Sequence, residues 1–437
     1  MTVAEVSIWG RLVGAVAWDD ARRLATFEYT PAFRSDGWDL APLTMPRTAP
    51  DRLFEFPALR ARDDRPDAFR GLPGLLADSL PDDYGNRLLD AWLARQGRAP
   101  GSMNPVESLC FIGSRGMGAL EFRPVVPRPH DTGETLEVDD LVRTARDVLA
   151  HRSSFHASLD GRDEEQIERL IHIGTSAGGA RPKAVIALNE DTGAVRSGQI
   201  DAPDDFRHWL IKLDGVSDVQ LGRSSGFGRV EMAYHRMAVD CGIDMEECRL
   251  HVENGRAHFM TRRFDRGPAG ERHHVQTLCA LRHIDFNLVG AFSYEQVFET
   301  MRMLHLTYAD AEQMFRRMVF NVVARNCDDH TRNFAFMLQR DGDWSLAPAY
   351  DLCHAYRPDS PWVSRHALTI GGKRDGFTRH DLRTIGRSIR CKQADDIIDQ
   401  VQDVVGRWAD YASAQQVDDE LVHSIARTHW FLDTTND

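Results

Sequence analysis

The chain contains no CxxC pair. Its seven cysteines, at positions 110, 241, 248, 279, 327, 353 and 391, are scattered and odd in number. That pattern argues against a disulfide framework or a zinc site and for reduced thiols in a cytoplasmic protein. No apolar run approaches the roughly 20 residues that span a bilayer. The start, Met-Thr-Val-Ala-Glu-Val, lacks the basic stretch and apolar run of a signal peptide. No membrane partner is expected. An excess of positive charge is missing too: 53 Lys and Arg face 66 Asp and Glu, a formal net charge of -13. This excludes a whole-chain footprint for nucleic acid. DNA contact would need a local basic face or a separate partner. There is also no GxxxxGK[ST] phosphate loop, no internal repeat and no low-complexity tract.

What remains is an ordinary globular composition. The 437 residues are 42% hydrophobic and 27% charged, enough for two or three domains or lobes with a sizeable core. Residues 1 to about 30 alternate as a β-hairpin, with Asp19-Asp20 as the turn and Ala25 to Tyr29 returning. Leu75 to Gln96 has helical spacing, interrupted near Pro81. Phe111-Ile112-Gly113 suggests a turn and Gly118 to Phe122 a short strand. Pro124 to Gly133 is the best linker. A helical pattern over Leu136 to His172 leads to a glycine-rich turn, Gly174 to Gly179. Strands are expected at Ala184 to Leu188 and Trp209 to Leu213, a helix at Val230 to Cys241, and a strand pair at His251-Val252 and Ala257 to Met260. Beyond Arg266 the pattern is mostly helical. The stripe Phe315, Met318, Val319, Val322 and Val323 marks a helix that delivers Asp328 to the next loop.

The densest chemistry lies in Asn326-Cys-Asp-Asp-His-Thr-Arg-Asn333, followed by Ala349-Tyr-Asp-Leu352. An Asp, an Asn five residues later, and a second Asp beyond a hairpin are what phosphoryl transfer from ATP requires. One carboxylate takes the substrate hydroxyl proton; an amide oxygen and another carboxylate hold Mg²⁺ on the phosphates. Asp328 is then base or hydroxyl orienter, and Asn333 and Asp351 are metal ligands. Taken singly, Asp328 could cap a helix and Asp351 could start one. His330 could touch nucleotide or brace the loop.

Three upstream features fit the same chemistry. Gly174-Thr-Ser-Ala-Gly-Gly-Ala-Arg-Pro-Lys183 is small enough for its backbone N–H groups, at Ser176, Ala177 and Gly178, to approach phosphate oxygens. Arg181 or Lys183 could reach phosphate, or form a solvated basic turn. Lys212, inside the apolar strand Trp209-Leu-Ile-Lys-Leu213, must aim its ammonium at a partner; phosphate and Glu231 are candidates. Arg262-Arg-Phe-Asp-Arg266 ends a strand where a hinge between lobes would meet adenine, although a charged strand end is common.

These motifs, in this order, resemble the HipA family of bacterial serine/threonine kinases, the toxins of HipBA-type toxin–antitoxin modules. Gly10-Arg-Leu-Val-Gly14 and Gly71-Leu-Pro-Gly-Leu-Leu-Ala-Asp-Ser-Leu-Pro81 resemble the family's N-terminal coupled domain. Ser176 to Lys183 resembles its phosphate loop, and Arg263-Phe-Asp-Arg266, Asp328 to Phe334 and Leu346 to Asp351 complete the set. The resemblance implies an α+β, protein-kinase-like two-lobed fold with a β-containing N-lobe and a mostly helical C-lobe. It implies an N-terminal domain over 1–125, a nucleotide-binding part over 126–266 and a helical lobe over 267–437. It makes Asp328 the catalytic base, puts Mg²⁺ on Asn333 and Asp351, ATP on Lys212, and the hinge at Phe264. It makes Ser176 the autophosphorylated residue. It also implies a protein substrate such as an aminoacyl-tRNA synthetase, and a small helix-turn-helix antitoxin, HipB-like, that carries the DNA contact. The chain departs from many members at Arg181-Pro182 and from some at Arg262. Two other readings use the same residues: a small-molecule phosphotransferase of aminoglycoside type, and a non-catalytic corepressor with a DNA-binding partner.

Overall fold

The computed structural model describes residues 2–61, 67–124, 137–150, 182–198, 203–216, 226–267 and 270–432. They form two compact units. One holds Met1–Ala41, Met45–Gly228 and Arg249–Val275; the other holds Pro42–Thr44, Arg229–Cys248 and Gln276–Asp437.

The first unit is built on two five-stranded sheets. The first sheet has β1 (Thr2–Ile8), β2 (Arg11–Asp19), β3 (Leu24–Tyr29), β4 (Leu53–Glu55) and β5 (Leu120–Arg123), in the order β4-β3-β2-β1-β5. The expected single hairpin is therefore three strands. The extra reversal falls at Trp9 and Gly10, which take φ of 49° and 78°. Positive φ at both central residues is what a tight primed turn demands, and Gly10 adopts it without steric cost. The expected turn at Phe111-Ile112 is instead the end of a helix, Pro105–Ile112. Asn104 and Glu107 cap that helix reciprocally, Pro105 opens it, and Gly113 at φ 61° closes it. The region from Leu75 splits as expected, into Gly74–Ala77 and Asp83–Arg95.

The second sheet contains β6 (Lys183–Asn189), β7 (Val195–Ser197), β8 (Phe206–Lys212), β9 (Cys248–Glu253) and β10 (Arg256–Arg262), in the order β7-β6-β8-β10-β9. β8 is central and pairs antiparallel with β6 and β10. Its inner residues Trp209 and Ile211 are fully buried. They belong to a core that also takes in Tyr84, Leu88, Leu93 and Phe111 from the N-terminal region, and Leu141 and Val142 from the helix Val138–Ala150.

The second unit is mostly helical. Its helices include Tyr294–Met303, Tyr308–Val323, Arg379–Ser388 and Ala394–Gly406. Thr307 and Asp310 form a capping box at the start of Tyr308–Val323. The predicted stripe of this helix, Phe315, Met318, Val319, Val322 and Val323, is entirely buried. Each such side chain contributes roughly 1.5–3 kcal/mol on leaving water. The helix ends at Ala324, and Arg325 reverses the chain at φ 57°. β11 (His274–Thr277) precedes the helix Leu278–Arg282. β12 (Ala335–Leu338) and β13 (Trp344–Leu346) form the expected hairpin, in register Phe336↔Leu346. Among the described residues no helix is long and apolar enough to cross a membrane.

Candidate functional site

In the helical unit the buried helix Tyr308–Val323 is the fixed base, and the loop after it carries the chemistry. Two backbone bonds hold the loop: Cys327 N–H donates to Ala355 O at 3.0 Å, and Ala355 N–H donates to Arg325 O at 3.1 Å. Arg325 is itself fixed, 2.8 Å from Asp375 and 4.1 Å above the Tyr356 ring. Asp328 follows with its side chain 51% exposed. It caps no helix. The Asn333 Nδ2 donates to the Asp328 carbonyl at 2.7 Å, which orients that amide. The Tyr350 hydroxyl donates to Arg332 O at 2.7 Å. That bond ties the neighbour of Asp351 to the neighbour of Asn333. Asp351 sits at φ 53°, outside any helix, a conformation that Asp tolerates better than most residues. The hairpin thus brings the three predicted residues back to one loop cluster. His330 is half-buried, with its Nε2 3.8 Å from Asp328 Oδ1 and its ring 5.1 Å from Phe286.

Sequence reasoning gave Asp329 less weight than Asp328. It is fully buried and accepts from Tyr294 Oη at 2.9 Å, His366 Nδ1 at 2.9 Å and the Ala367 N–H at 2.7 Å. Burial alone would lower the pKa of His366, but the charge and hydrogen bond of Asp329 outweigh it and raise it to about 10. Burial would raise the Asp329 carboxyl; His366, Tyr294 and the Ala367 N–H hold it below its ordinary value. Both shifts favour the charged pair, an imidazolium beside a carboxylate. The only sequence signal was the doubled acid Asp328-Asp329.

In the β-rich unit, Lys212 ends β8, in register with Phe259 of β10 and Lys183 of β6. Its ammonium lies 5.7 Å from the centre of the Phe259 ring. Glu231, the suggested partner of Lys212, belongs to the other unit. Lys183 is only 2% exposed, and its Nζ is 3.5 Å from Asp82 Oδ2. As the first residue of β6 it points to the covered side, where a charge needs a countercharge. Asp82 also caps the helix Asp83–Arg95. Ser176, Ala177, Gly178 and Arg181 lie outside the described residues, as does the expected linker Pro124 to Gly133 apart from Pro124 itself.

The segment around Phe264 is braced from the N-terminal region. Asp265 is fully buried and accepts from Arg263 Nε at 2.8 Å, Arg266 Nη1 at 2.7 Å and the Gly118 N–H at 2.7 Å. Burial pushes its carboxyl up, but the two guanidiniums hold it well below the usual carboxylate range. Arg266 Nη2 in turn donates to Gly116 O at 2.9 Å. These charges are paired inside the unit, so the charged strand end is a brace. Phe264 between them is half-buried.

Two family matches cover most of the chain. The HipA N-terminal domain matches residues 4–123, and the HipA-like C-terminal domain matches residues 175–408. The chain belongs to the HipA family. One relative is Y4mE of Sinorhizobium fredii, which bears the name of a kinase candidate. It is 23% identical over 462 residues, covering 98% of this chain and 97% of that protein. A solved structure of HipA from Shewanella oneidensis, in complex with HipB and operator DNA, matches with a TM-score of 0.60 at 16% identity. The match covers 97% of this chain and 94% of that one. The α+β, kinase-like class expected from the sequence is therefore the fold of this chain. In HipA terms, Gly116 and Gly118 fall in the N-terminal family domain, and Phe264, Asp328, Asn333 and Asp351 in the C-terminal one.

Proposed function

We propose that this HipA-family chain is an ATP- and Mg²⁺-dependent protein serine/threonine kinase that acts as the toxin of a toxin–antitoxin pair. Asp328 receives the proton of the substrate hydroxyl. Asn333 and Asp351 would hold Mg²⁺, which would supply positive charge to neutralise the phosphates. The observation that carries the reading is the Asn333 amide. Its nitrogen is engaged by Asp328 O, so its oxygen is the atom offered to a cation. An amide oxygen and a carboxylate are hard donors suited to Mg²⁺, which keeps water and phosphate as its other ligands. Among the described residues no three His, Cys, Asp or Glu side chains converge as a closed metal cage, and a Mg²⁺–nucleotide site does not need one. Asp328 is exposed and hydrated, as a group that meets a macromolecular hydroxyl must be.

Lys212 serves the ATP phosphates, the backbone at Phe264 the adenine, and His330 the nucleotide side of the loop. Ser176, Ala177 and Gly178 form the phosphate loop, and Ser176 is its autophosphorylation site. A dianionic phosphoserine beside the ATP phosphates is repelled, which switches the enzyme off. Lys183 enters this scheme as an anchor. Its burial 3.5 Å from Asp82 supports that role, with phosphate contact the alternative. The name of Y4mE supports the kinase assignment. The complex formed by the Shewanella protein supports a small helix-turn-helix antitoxin, HipB-like, through which DNA is reached. The substrate is a translation-related protein of the cytoplasm, an aminoacyl-tRNA synthetase being the leading class.

The test is transfer of ³²P from γ-labelled ATP with Mg²⁺ to protein in a bacterial lysate and to the chain itself. Wild type should label both; Asp328→Ala and Asp351→Ala should label neither. Transfer by Asp328→Ala at the wild-type rate overturns the assignment.

A further inference from the structure

Asp329 follows Asp328 directly but shares none of its exposure: the two side chains are 0% and 51% exposed. A buried carboxylate persists only when its charge and lone pairs are satisfied. Here they are satisfied by three donors that come from far along the chain: Tyr294 at 2.9 Å, His366 at 2.9 Å and the Ala367 N–H at 2.7 Å. The series does not stop at Tyr294. Its hydroxyl accepts from Asn321 Nδ2 at 3.0 Å, and Asn321 Oδ1 accepts from Asn326 Nδ2 at 2.9 Å. That same Nδ2 lies 3.4 Å from the carbonyl oxygen of Asp351. Tyr294, Asn321, Asn326, Asp329 and His366 are all 2% exposed or less. The series runs from the backbone of Asp351, through the last turn of the helix Tyr308–Val323, to the residue beside Asp328.

We infer that Asp329, His366 and Tyr294 are positioning residues. Together with Asn321 and Asn326 they form one buried hydrogen-bonded frame that sets Asp328 and Asp351 relative to each other. None of them reaches the exposed face where Asp328 stands, so each acts through the backbone. Tyr294 is the link between the two halves. Its hydroxyl donates toward Asp329 and accepts from Asn321, so removing one oxygen cuts the series in the middle. His366 fixes the other end. Without an imidazolium beside it, Asp329 carries an uncompensated buried charge, and the loop Asn326–Thr331 relaxes to hydrate it. The kinetic consequence rests on the kinase reading; the placement of the loop does not.

The experiment uses the full chain and the variants Tyr294→Phe, Asp329→Asn, His366→Gln and His366→Ala, each with two readouts. The first is steady-state kinase activity. A frame of this kind loses about tenfold to a hundredfold in kcat when its loop drifts by an ångström, with KM for ATP within about threefold. His366→Gln, which keeps a donor for Asp329, should retain more activity than His366→Ala. The second is amide hydrogen exchange at residues 327–334 and 350–355, which needs no activity. Faster exchange at both segments in Tyr294→Phe is expected. Wild-type kcat in Tyr294→Phe and Asp329→Asn overturns the inference, as does unchanged exchange at both segments. If the wild type transfers no phosphate but exchange quickens at both segments, the kinase reading falls and the frame stands. Should His366→Ala not fold, Tyr294→Phe, with its single missing oxygen, decides alone.

Discussion

The carboxylate of Asp265 accepts the backbone N–H of Gly118 at 2.7 Å across 147 residues of chain. The bond joins the segment next to Phe264 to a loop of the N-terminal family domain. The N-terminal domain therefore supplies part of the wall behind the proposed adenine contact. Asp265 also neutralises Arg263 and Arg266, whose side chains are 1% and 9% exposed.

Replacing Asp265 with Ala should destabilise the fold by about 3–5 kcal/mol, because two guanidiniums lose their buried countercharge. Urea denaturation of the full chain reads this as a lowered midpoint. Gly118→Ala should cost less, about 1–2 kcal/mol, the penalty of left-handed backbone for a residue with a Cβ. The glycine sits at φ 78°, and an added Cβ would meet Val275 N at 3.2 Å. An unchanged midpoint in Asp265→Ala would show that the carboxylate braces nothing.

Asp328 and Asp329 should separate cleanly. Asp328→Asn changes an exposed side chain and should leave the melting temperature within about 1 °C, since surface changes usually fall within ±0.5 kcal/mol. Its phosphoryl transfer should drop by about 10²–10⁴ if the carboxylate acts as base. Asp329→Ala should lower the melting temperature, because it strips a buried imidazolium of its partner. Calorimetry on the two variants checks the difference in stability; ³²P transfer should fall in both.

The Asp329–His366 pair predicts how stability varies with pH. The folded pKa of His366 is raised to about 10 from 6.5. A raised pKa means a contribution fully present below the unfolded value and lost as pH climbs through the folded one. Wild-type stability should therefore fall between about 6.5 and about 10 more steeply than that of His366→Gln. The difference in slope is about 1.4 kcal/mol per pH unit for one proton. Asp329 has a lowered pKa. Its contribution is present above the ordinary carboxylate range and lost as pH falls through the folded value, so the acid limb steepens too. Urea midpoints at pH 7, 8 and 9 for both proteins test the alkaline limb; parallel slopes would refute the ion pair.

Ser176→Ala should keep kinase activity and abolish self-labelling. Phosphopeptide mapping after incubation with ATP and Mg²⁺ checks it. Persistence of full self-labelling would move the modified residue elsewhere.

The fold was legible wherever periodicity or turn chemistry is local. The stripe Phe315 to Val323 and the hairpin around Asp341-Gly342 stand where the spacing put them. The turn at Trp9-Gly10 was missed because glycine was read as part of an alternating strand. The helix Pro105–Ile112 was missed although Asn104, Pro105 and Glu107 spell a helix start. Around the loop, the grouping of Asp328, Asn333 and Asp351 was legible from their intervals, and the Tyr350 bond to Arg332 brings their segments together; their catalytic and metal roles belong to the proposal. The place of Asp329 was not legible, since its partner His366 is 37 residues away and the pairing is made by tertiary packing alone. Lys183 shows the same limit. A basic residue after a glycine-rich stretch suggests phosphate, and only the sheet shows that it faces Asp82.

The shared core of the β-rich unit has a practical consequence for dissecting the chain. Trp209, Ile211 and Met260 lie in the same apolar cluster as Tyr84, Leu88 and Leu93. A fragment cut at the seam between the two family domains would leave those strands uncovered and sticky. It would be a client for chaperones and a poor reagent. Gene fusions, split reporters and domain swaps made near residue 124 should precipitate.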